Sequence, residues 1–151
     1  MASTVRQLNT STWDAFAELV KRNNGIFGGC WCIGYHPECG RPGIDHRVVK
    51  EQRVRTDQAQ AALVLDEDGT AQGWCQYGSC DELPNIKHRR AYDKYAPPLP
   101  DWRITCIYVD RPHRGQGIAH TALEGALDQI VTRVRQVGKH AWIVSRHVDP
   151  A

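Results

Sequence analysis

The run Arg114-Gly115-Gln116-Gly117-Ile118-Ala119 is the densest concentration of binding chemistry in the chain. It follows the apolar stretch from Trp102 to Val109 and opens a long helical pattern. A strand that turns through glycines into a helix leaves the first helical N–H groups without intrahelical acceptors. The positive end of the helix dipole sits beside them, and the combination suits phosphate. Gly115 and Gly117 have no Cβ to hold a phosphate off the backbone, and Arg114 adds a charged donor at the rim. Ile118 and Ala119 stand where a Walker-type loop needs a lysine and a hydroxyl. A dinucleotide fold needs a βαβ unit with an acidic residue on the next strand. Here the preceding strands read as antiparallel, and Ala141 to Val144 carries no acid. These residues imply a pyrophosphate-bearing ligand at a strand–helix junction.

A second set of reactive residues is more open. Cys30, Cys32, His36 and Cys39 are four zinc-type donors within one short segment, and three cysteines with a histidine is an accepted zinc set. Against this, the C-x-C spacing is awkward and no second pair follows at zinc-ribbon distance. In the plainer alternative Cys32, Cys75 and Cys106 are small buried apolar residues. Trp31, Trp74 and Tyr35 then belong to the core or wall a substrate cleft. For moving a proton, Asp81, Glu82, His88 and Tyr108 are the titratable side chains near the expected site, with Glu82 taken as the acceptor. His113 and His120 flank the glycine turn and could touch phosphate.

The elements that must position these residues follow from pattern. Thr4 to Leu8 is a strand candidate, and Ser11 or Thr12 caps a helix with apolar Trp13, Phe16, Ala17 and Val20. Gly25 stops it. Residues 26–45, with five glycines and two prolines, read as a loop holding one short strand, and 46–55 as an exposed helix. Ala61 to Leu65 and Thr70 to Tyr77, around Asp66-Glu67-Asp68-Gly69, read as a β-hairpin. Residues 78–101 are read as irregular because Pro84, Pro97, Pro98 and Pro100 interrupt them. The helix after the glycines puts Ile118, Ala119, Ala122, Leu123, Ala126, Leu127, Ile130, Val131 and Val134 on one face and ends near Gly138. Ala141 to Val144 is a last short strand.

Composition narrows the class. The 151 residues form one domain, 41% hydrophobic and 24% charged, with a net charge of +2 too mild to argue for nucleic acid or a membrane surface. The basic cluster Lys87-His88-Arg89-Arg90 reads as a solvated face. No apolar run is long enough to span a bilayer and the N-terminus is no signal peptide, so a cytoplasmic protein with reduced thiols is expected.

The glycine turn, with the strand before it and Val109-Asp110-Arg111-Pro112-His113 as lead-in, resembles the Q/R-x-x-G-x-G/A signature of the GNAT acyl-CoA N-acyltransferase superfamily. Phe27-Gly28-Gly29-Cys30-Trp31-Cys32 and Gly73-Trp74-Cys75 are similar to a poorly characterised bacterial branch of it. The resemblance implies an α/β fold with a mixed, mostly antiparallel sheet flanked by helices. It implies acetyl-CoA as co-substrate, its pyrophosphate on Arg114, Gly115, Gln116, Gly117, Ile118 and Ala119, and its pantetheine arm along Ile107, Tyr108 and Val109. It further implies a bulge in that strand, and a backbone N–H of Tyr108 or Val109 facing the thioester carbonyl. The reaction is then direct acyl transfer to the amine of a small molecule or protein, without metal. Members usually continue with another helix and two strands that supply a tyrosine acid. That portion is expected to be absent here, leaving an open edge at Ala141 to Val144 suited to a homodimer. A catalytically degenerate acyl-CoA-binding module and a zinc-binding interaction domain remain the alternatives.

Overall fold

Two apolar layers on opposite faces of one sheet organise the chain. The computed structural model describes residues 2–26, 28–86, 88–95, 100–137 and 143–145. In chain order the elements are β1 (Thr4–Gln7), α1 (Trp13–Arg22), α2 (His46–Arg55), β2 (Gln60–Leu65), β3 (Ala71–Gly78), α3 (Arg89–Tyr95), β4 (Trp102–Val109), a 3-10 turn (Arg111–His113), α4 (Ile118–Val137) and β5 (Ile143–Ser145). The strands lie in the order β1-β2-β3-β4-β5. The first four are antiparallel to their neighbours, and β5 joins β4 in parallel.

Alternation along the strands divides the core. Ala61, Leu63, Leu65, Trp74 and Tyr108 face α1, where Trp13, Phe16, Ala17, Leu19 and Val20 are buried. Ala62, Val64, Cys75, Tyr77 and Ile104 face α4 and meet Ile118, Ala122, Ala126 and Ile130, a stripe at four-residue spacing. The expected stripe is therefore too wide: Ala119 is exposed, and Leu127 and Val131 remain 36% and 41% exposed.

Local chemistry explains most departures from the sequence reading. Thr12 begins α1 without capping it by its side chain; its hydroxyl donates to Gln7 C=O instead. In α2 the Asp45 side chain accepts from Val48 N–H, an ordinary N-cap. Residues 26–45 hold turns and no strand among those described. Helix α3 lies inside the stretch read as irregular, where the prolines flank a seven-residue helix rather than interrupt it. The helix end near Gly138, the start of the last strand at Ala141, and Phe27 and Lys87 fall outside the described residues.

Candidate active site

The site is built where β4 breaks its alternation. Ile104 packs on the α4 face, and so does Ile107, three residues on. Strict alternation would put them on opposite faces. The register accounts for it: Tyr77 faces Ile104 while Gln76 faces Cys106, so Thr105 is the extra residue of a β-bulge. Thr105 and Cys106 consequently both face the α1–α2 side. The Thr105 hydroxyl accepts from Gln76 Nε2 at 3.0 Å, and Cys106 packs against the α1-side core.

Described pairing between β4 and β5 runs from Trp102 to Ile104, next to the bulge. Beyond it, Asp110 N–H donates to Gln72 C=O at 2.8 Å, which fixes the hydrogen-bonding parity with β3. Two residues back, the Tyr108 backbone therefore also faces β3, opposite Trp74. Ile107 and Val109 turn their N–H and C=O groups to the other edge. Arg114 Nε donates to Val109 C=O at 3.2 Å on that edge, and its guanidinium lies 5.8 Å from the Tyr108 ring centroid.

The glycine turn follows at the end of this edge. Gly115 and Gly117 both have φ near 79°, a conformation that side chains oppose, and a Cβ on either would meet nothing within 4 Å. Their glycine character is thus required by the turn, and the space in front of it is open. Residues 114–117 are exposed. Thr121 N–H bonds to Gly117 C=O, so the N–H groups of Ile118, Ala119 and His120 precede the helical ladder. These donors, the two open glycines and Arg114 fit an anionic diphosphate.

Asp110 anchors the junction. Its carboxylate accepts from Asn23 Nδ2 at 3.0 Å and Arg22 at 3.2 Å, tying the end of α1 to the end of β4. Burial alone would raise its pKa; the bonds from Asn23 and Arg22 outweigh that and hold it below the ordinary carboxylate range.

Two proton-transfer candidates have other employment. The Tyr108 side chain is buried on the α1 side, stacked on Trp74 with centroids 5.0 Å apart, and its hydroxyl donates to Asn23 Oδ1. The Glu82 carboxylate accepts from Ser79 N–H and Gln60 Nε2 at 3.3 and 3.4 Å. That carboxylate lies at the end of β3, 3.2 Å from where a Cβ on Gly78 would stand. Asp81 and His88 are exposed, and His120 pairs with Glu124 at 3.0 Å.

The zinc arrangement does not assemble. No group of three or more His, Cys, Asp or Glu able to hold a metal ion occurs among the described residues. Cys39 is exposed, and both ring nitrogens of His36 are engaged. His36 Nδ1 donates to Glu82 C=O at 2.8 Å and Nε2 accepts from Lys50 Nζ at 3.1 Å, the tautomer that these partners require. Burial first, and the Lys50 ammonium second, push the His36 pKa down to about 2.

Lys50 is the residue that sequence reading missed. It is 1% exposed and donates to Gln76 Oε1 at 2.6 Å, His36 Nε2 at 3.1 Å and Cys32 C=O at 3.4 Å, three acceptors for its three protons. Its only sequence signal was a lysine in an otherwise charged helix, which reads as solvated. Beside it the Cys32 thiol is drawn down to about 7, chiefly by the hydrogen bond from Cys106 and also by Lys50, against the opposing effect of burial. Cys75 shows the ordinary fate of a buried thiol, pushed up to about 12 by desolvation. All six cysteines are free. A cavity of about 150 Å³ beside Tyr35 is bounded by Gly34, Asn85 and Ile86 on this side of the sheet. One of about 300 Å³ lies far from the turn, between Gln7, Asp57 and the last turns of α4 around Arg133.

Comparison with known proteins agrees with this architecture. Residues 26–151 match the sequence profile described as the acetyltransferase (GNAT) family. No curated protein matches the chain. Among solved structures, the aminoglycoside acetyltransferase AAC(6')-Iy, in complex with the bisubstrate analogue CoA-S-monomethyl-acetylneamine, superposes with a TM-score of 0.60 at 14% identity, over 99% of this chain and 82% of its own. Ribosomal-protein-alanine N-acetyltransferase from Brucella melitensis biovar Abortus 2308 gives 0.53 at 16% identity, with coverages of 99% and 82%. A GCN5-related N-acetyltransferase from Ralstonia eutropha JMP134 gives 0.51 at 15%, with 98% and 85%. At such identities the likeness is one of fold.

Proposed function

Because the chain belongs to the acetyltransferase (GNAT) family, we propose that it is an acyl-CoA-dependent N-acyltransferase moving an acetyl group directly onto a primary amine of a small molecule or protein. The observation that carries this reading is the continuity of two binding features. The β4 edge that faces away from β3 runs past the bulge straight into an open glycine turn at a helix start. Acetyl-CoA, when bound, supplies the activated thioester.

The residues divide the work. Arg114, Gly115, Gln116, Gly117, Ile118 and Ala119 hold the pyrophosphate through backbone N–H groups, the helix dipole and the Arg114 guanidinium. Ile107 and Val109 pair with the amide-bearing pantetheine arm as a strand would, because their backbone groups face away from β3. One of those two N–H groups, rather than that of Tyr108, donates to the thioester carbonyl oxygen and stabilises the charge that grows there as the amine attacks. Glu82 is held at the turn after β3 by a hydrogen bond from Ser79 N–H. The acceptor approaches from the α1–α2 side, where Tyr35 and the half-buried Cys30 and Cys106 lie.

Calorimetric titration of the full chain with acetyl-CoA and with S-acetylpantetheine, which lacks every phosphate, tests the reading. Binding of the first and at least tenfold weaker binding of the second is expected, followed by CoA release when an amine from a panel is added. Equal affinity for the two, or no binding by folded chain, would remove the turn from the site. Binding without CoA release on any amine would leave an acyl-CoA-binding module in place of an enzyme.

A further inference from the structure

A chain of buried hydrogen bonds links the loop of residues 26–45 to the bulge of β4. His36 Nδ1 donates to Glu82 C=O at 2.8 Å, and His36 Nε2 accepts from Lys50 Nζ at 3.1 Å. Lys50 also donates to Cys32 C=O at 3.4 Å and to Gln76 Oε1 at 2.6 Å. Gln76 Nε2 then donates to the Thr105 hydroxyl at 3.0 Å. His36, Lys50 and Gln76 are at most 1% exposed and Thr105 is 4% exposed, so solvent does not compete for these bonds.

Gln76 and Thr105 stand at the register shift itself. Gln76 is opposite Cys106, its neighbour Tyr77 is opposite Ile104, and Thr105 is the residue left over between them. The extra residue of a bulge has no ladder partner to fix its backbone. Here the side-chain bond from Gln76 takes that place. The Gln76 amide turns Nε2 to Thr105 because Oε1 is held by the Lys50 ammonium. Lys50 in turn is pinned by two acceptors of the loop, His36 Nε2 and Cys32 C=O. Burying an ammonium and a primary amide is costly, and apolar side chains of like volume would commonly serve stability as well. What the polar chain supplies is a single arrangement, since a satisfied buried network rigidifies what it touches. It ends two residues before Ile107.

We propose, on the acyltransferase reading above, that Lys50, Gln76 and Thr105 are positioning residues that fix the bulge so that the backbone N–H groups beyond it, at Ile107 and Val109, meet the thioester carbonyl of acetyl-CoA. None of the three side chains touches the ligand. A rotation at Thr105 re-aims the Ile107 N–H, and a displacement of about 1 Å there costs on the order of 100-fold in rate. The glycine turn holds the pyrophosphate independently of the relay. Breaking the relay therefore separates binding from turnover.

The test has two arms on the full chain. The first follows amide hydrogen exchange without ligand. Thr105→Val keeps the branched shape and loses the hydroxyl, whereas Thr105→Ser keeps the hydroxyl. In Thr105→Val and Lys50→Met, exchange over residues 105–109 should accelerate at least about tenfold more than over residues 61–65 of β2. Thr105→Ser should stay near wild type. Equal acceleration of both strands in Thr105→Val, or none at the bulge, overturns the proposal, and this variant decides the matter even where Lys50→Met fails to fold. The second arm records infrared spectra of acetyl-CoA isotopically labelled at the thioester carbonyl. Wild type should move the bound carbonyl stretch to lower frequency, as a donated hydrogen bond does. Thr105→Val should bind acetyl-CoA within about threefold of wild type yet lose most of that shift, and kcat on an amine that wild type turns over should fall at least about tenfold at little changed KM. Thr105→Ser should recover both. A full shift in Thr105→Val, or none in wild type, overturns the proposal. Wild type that binds no acetyl-CoA removes the acyltransferase reading and the carbonyl role together, whereas the ligand-free arm shows on its own whether the relay holds the bulge.

Discussion

At the scale of single residues, the buried Lys50–His36 pair governs how the protein responds to acid. In the unfolded chain a histidine takes up its proton near pH 6.5, whereas His36 in the native structure resists it down to about 2. Between those values the unfolded state binds one more proton, so native stability falls as pH drops below about 6.5, by about 1.4 kcal/mol per unit for this one group. Urea unfolding at pH 7.0, 6.0 and 5.0 should show that slope, and His36→Gln should remove it. An unchanged slope in the variant would assign the acid sensitivity elsewhere. Lys50→Met addresses the same cluster from the other side. It removes the cation near Cys32, so the thiol should titrate above its wild-type value of about 7, as read from the pH dependence of alkylation. Neither Lys50 nor Gln76 was legible as part of a site. A lysine in His46–Arg55 and a glutamine in a strand carry no spacing signal, and only the fold brings them within 2.6 Å.

Among the elements, the glycine turn was the most legible because its chemistry is local: the two glycines, the arginine and the helix start are contiguous in the chain. The bulge was not, since its signature is a change of facing between Ile104 and Ile107 that both residue types tolerate. The two features are joined by a third that the pattern also hid. A Cβ on Gly73 of β3 would sit 2.7 Å from the Tyr108 carbonyl oxygen and 2.9 Å from Ile118 Cγ2. Gly73 thus lets β3 approach both β4 and the first residue of α4, at the base of the turn. Gly73→Ala forces backbone rather than a flexible side-chain tip to move, so a loss of about 1–3 kcal/mol is expected. The same displacement shifts Ile118 and should weaken acetyl-CoA binding several-fold in calorimetry. Gly69→Ala serves as the control. Its positive φ strains an alanine in the hairpin turn, but a Cβ there meets nothing within 4 Å. Its stability loss should leave ligand affinity unchanged. Equal loss of affinity in both would mean that Gly73 acts through global stability alone.

For the molecule as a whole, the two core layers make binding and packing separable quantities. The strands, α1 and the buried stripe of α4 were legible from periodicity, because alternation and helical spacing each bury one face; the order of the strands and the two layers came only with the structure. The turns of residues 26–45 and helix α3 were not, since tertiary contacts decide them. Helix α4 carries both functions along its length. Its first residue, Ile118, opens at the glycine turn, and Ile130, about 18 Å further on, is fully buried against the sheet. Ile130→Ala should therefore cost about 2–5 kcal/mol through the cavity that it leaves, without touching the turn. Free acetyl-CoA at one hundred times Kd stabilises the native state by about 2.7 kcal/mol, whatever the starting stability. For a chain of this size that raises Tm by roughly 5–10 °C. Thermal scans of wild type and of Ile130→Ala should then differ in Tm without ligand yet show ligand-induced shifts of similar size. Gly117→Asp should give the opposite pattern. The ligand shift disappears because a carboxylate occupies the space meant for phosphate, while the unliganded Tm falls only by the strain of a side chain at φ 79°. A ligand shift that vanished in Ile130→Ala as well would show that the turn depends on packing at the far end of α4, and the two layers would have to be treated as one cooperative unit.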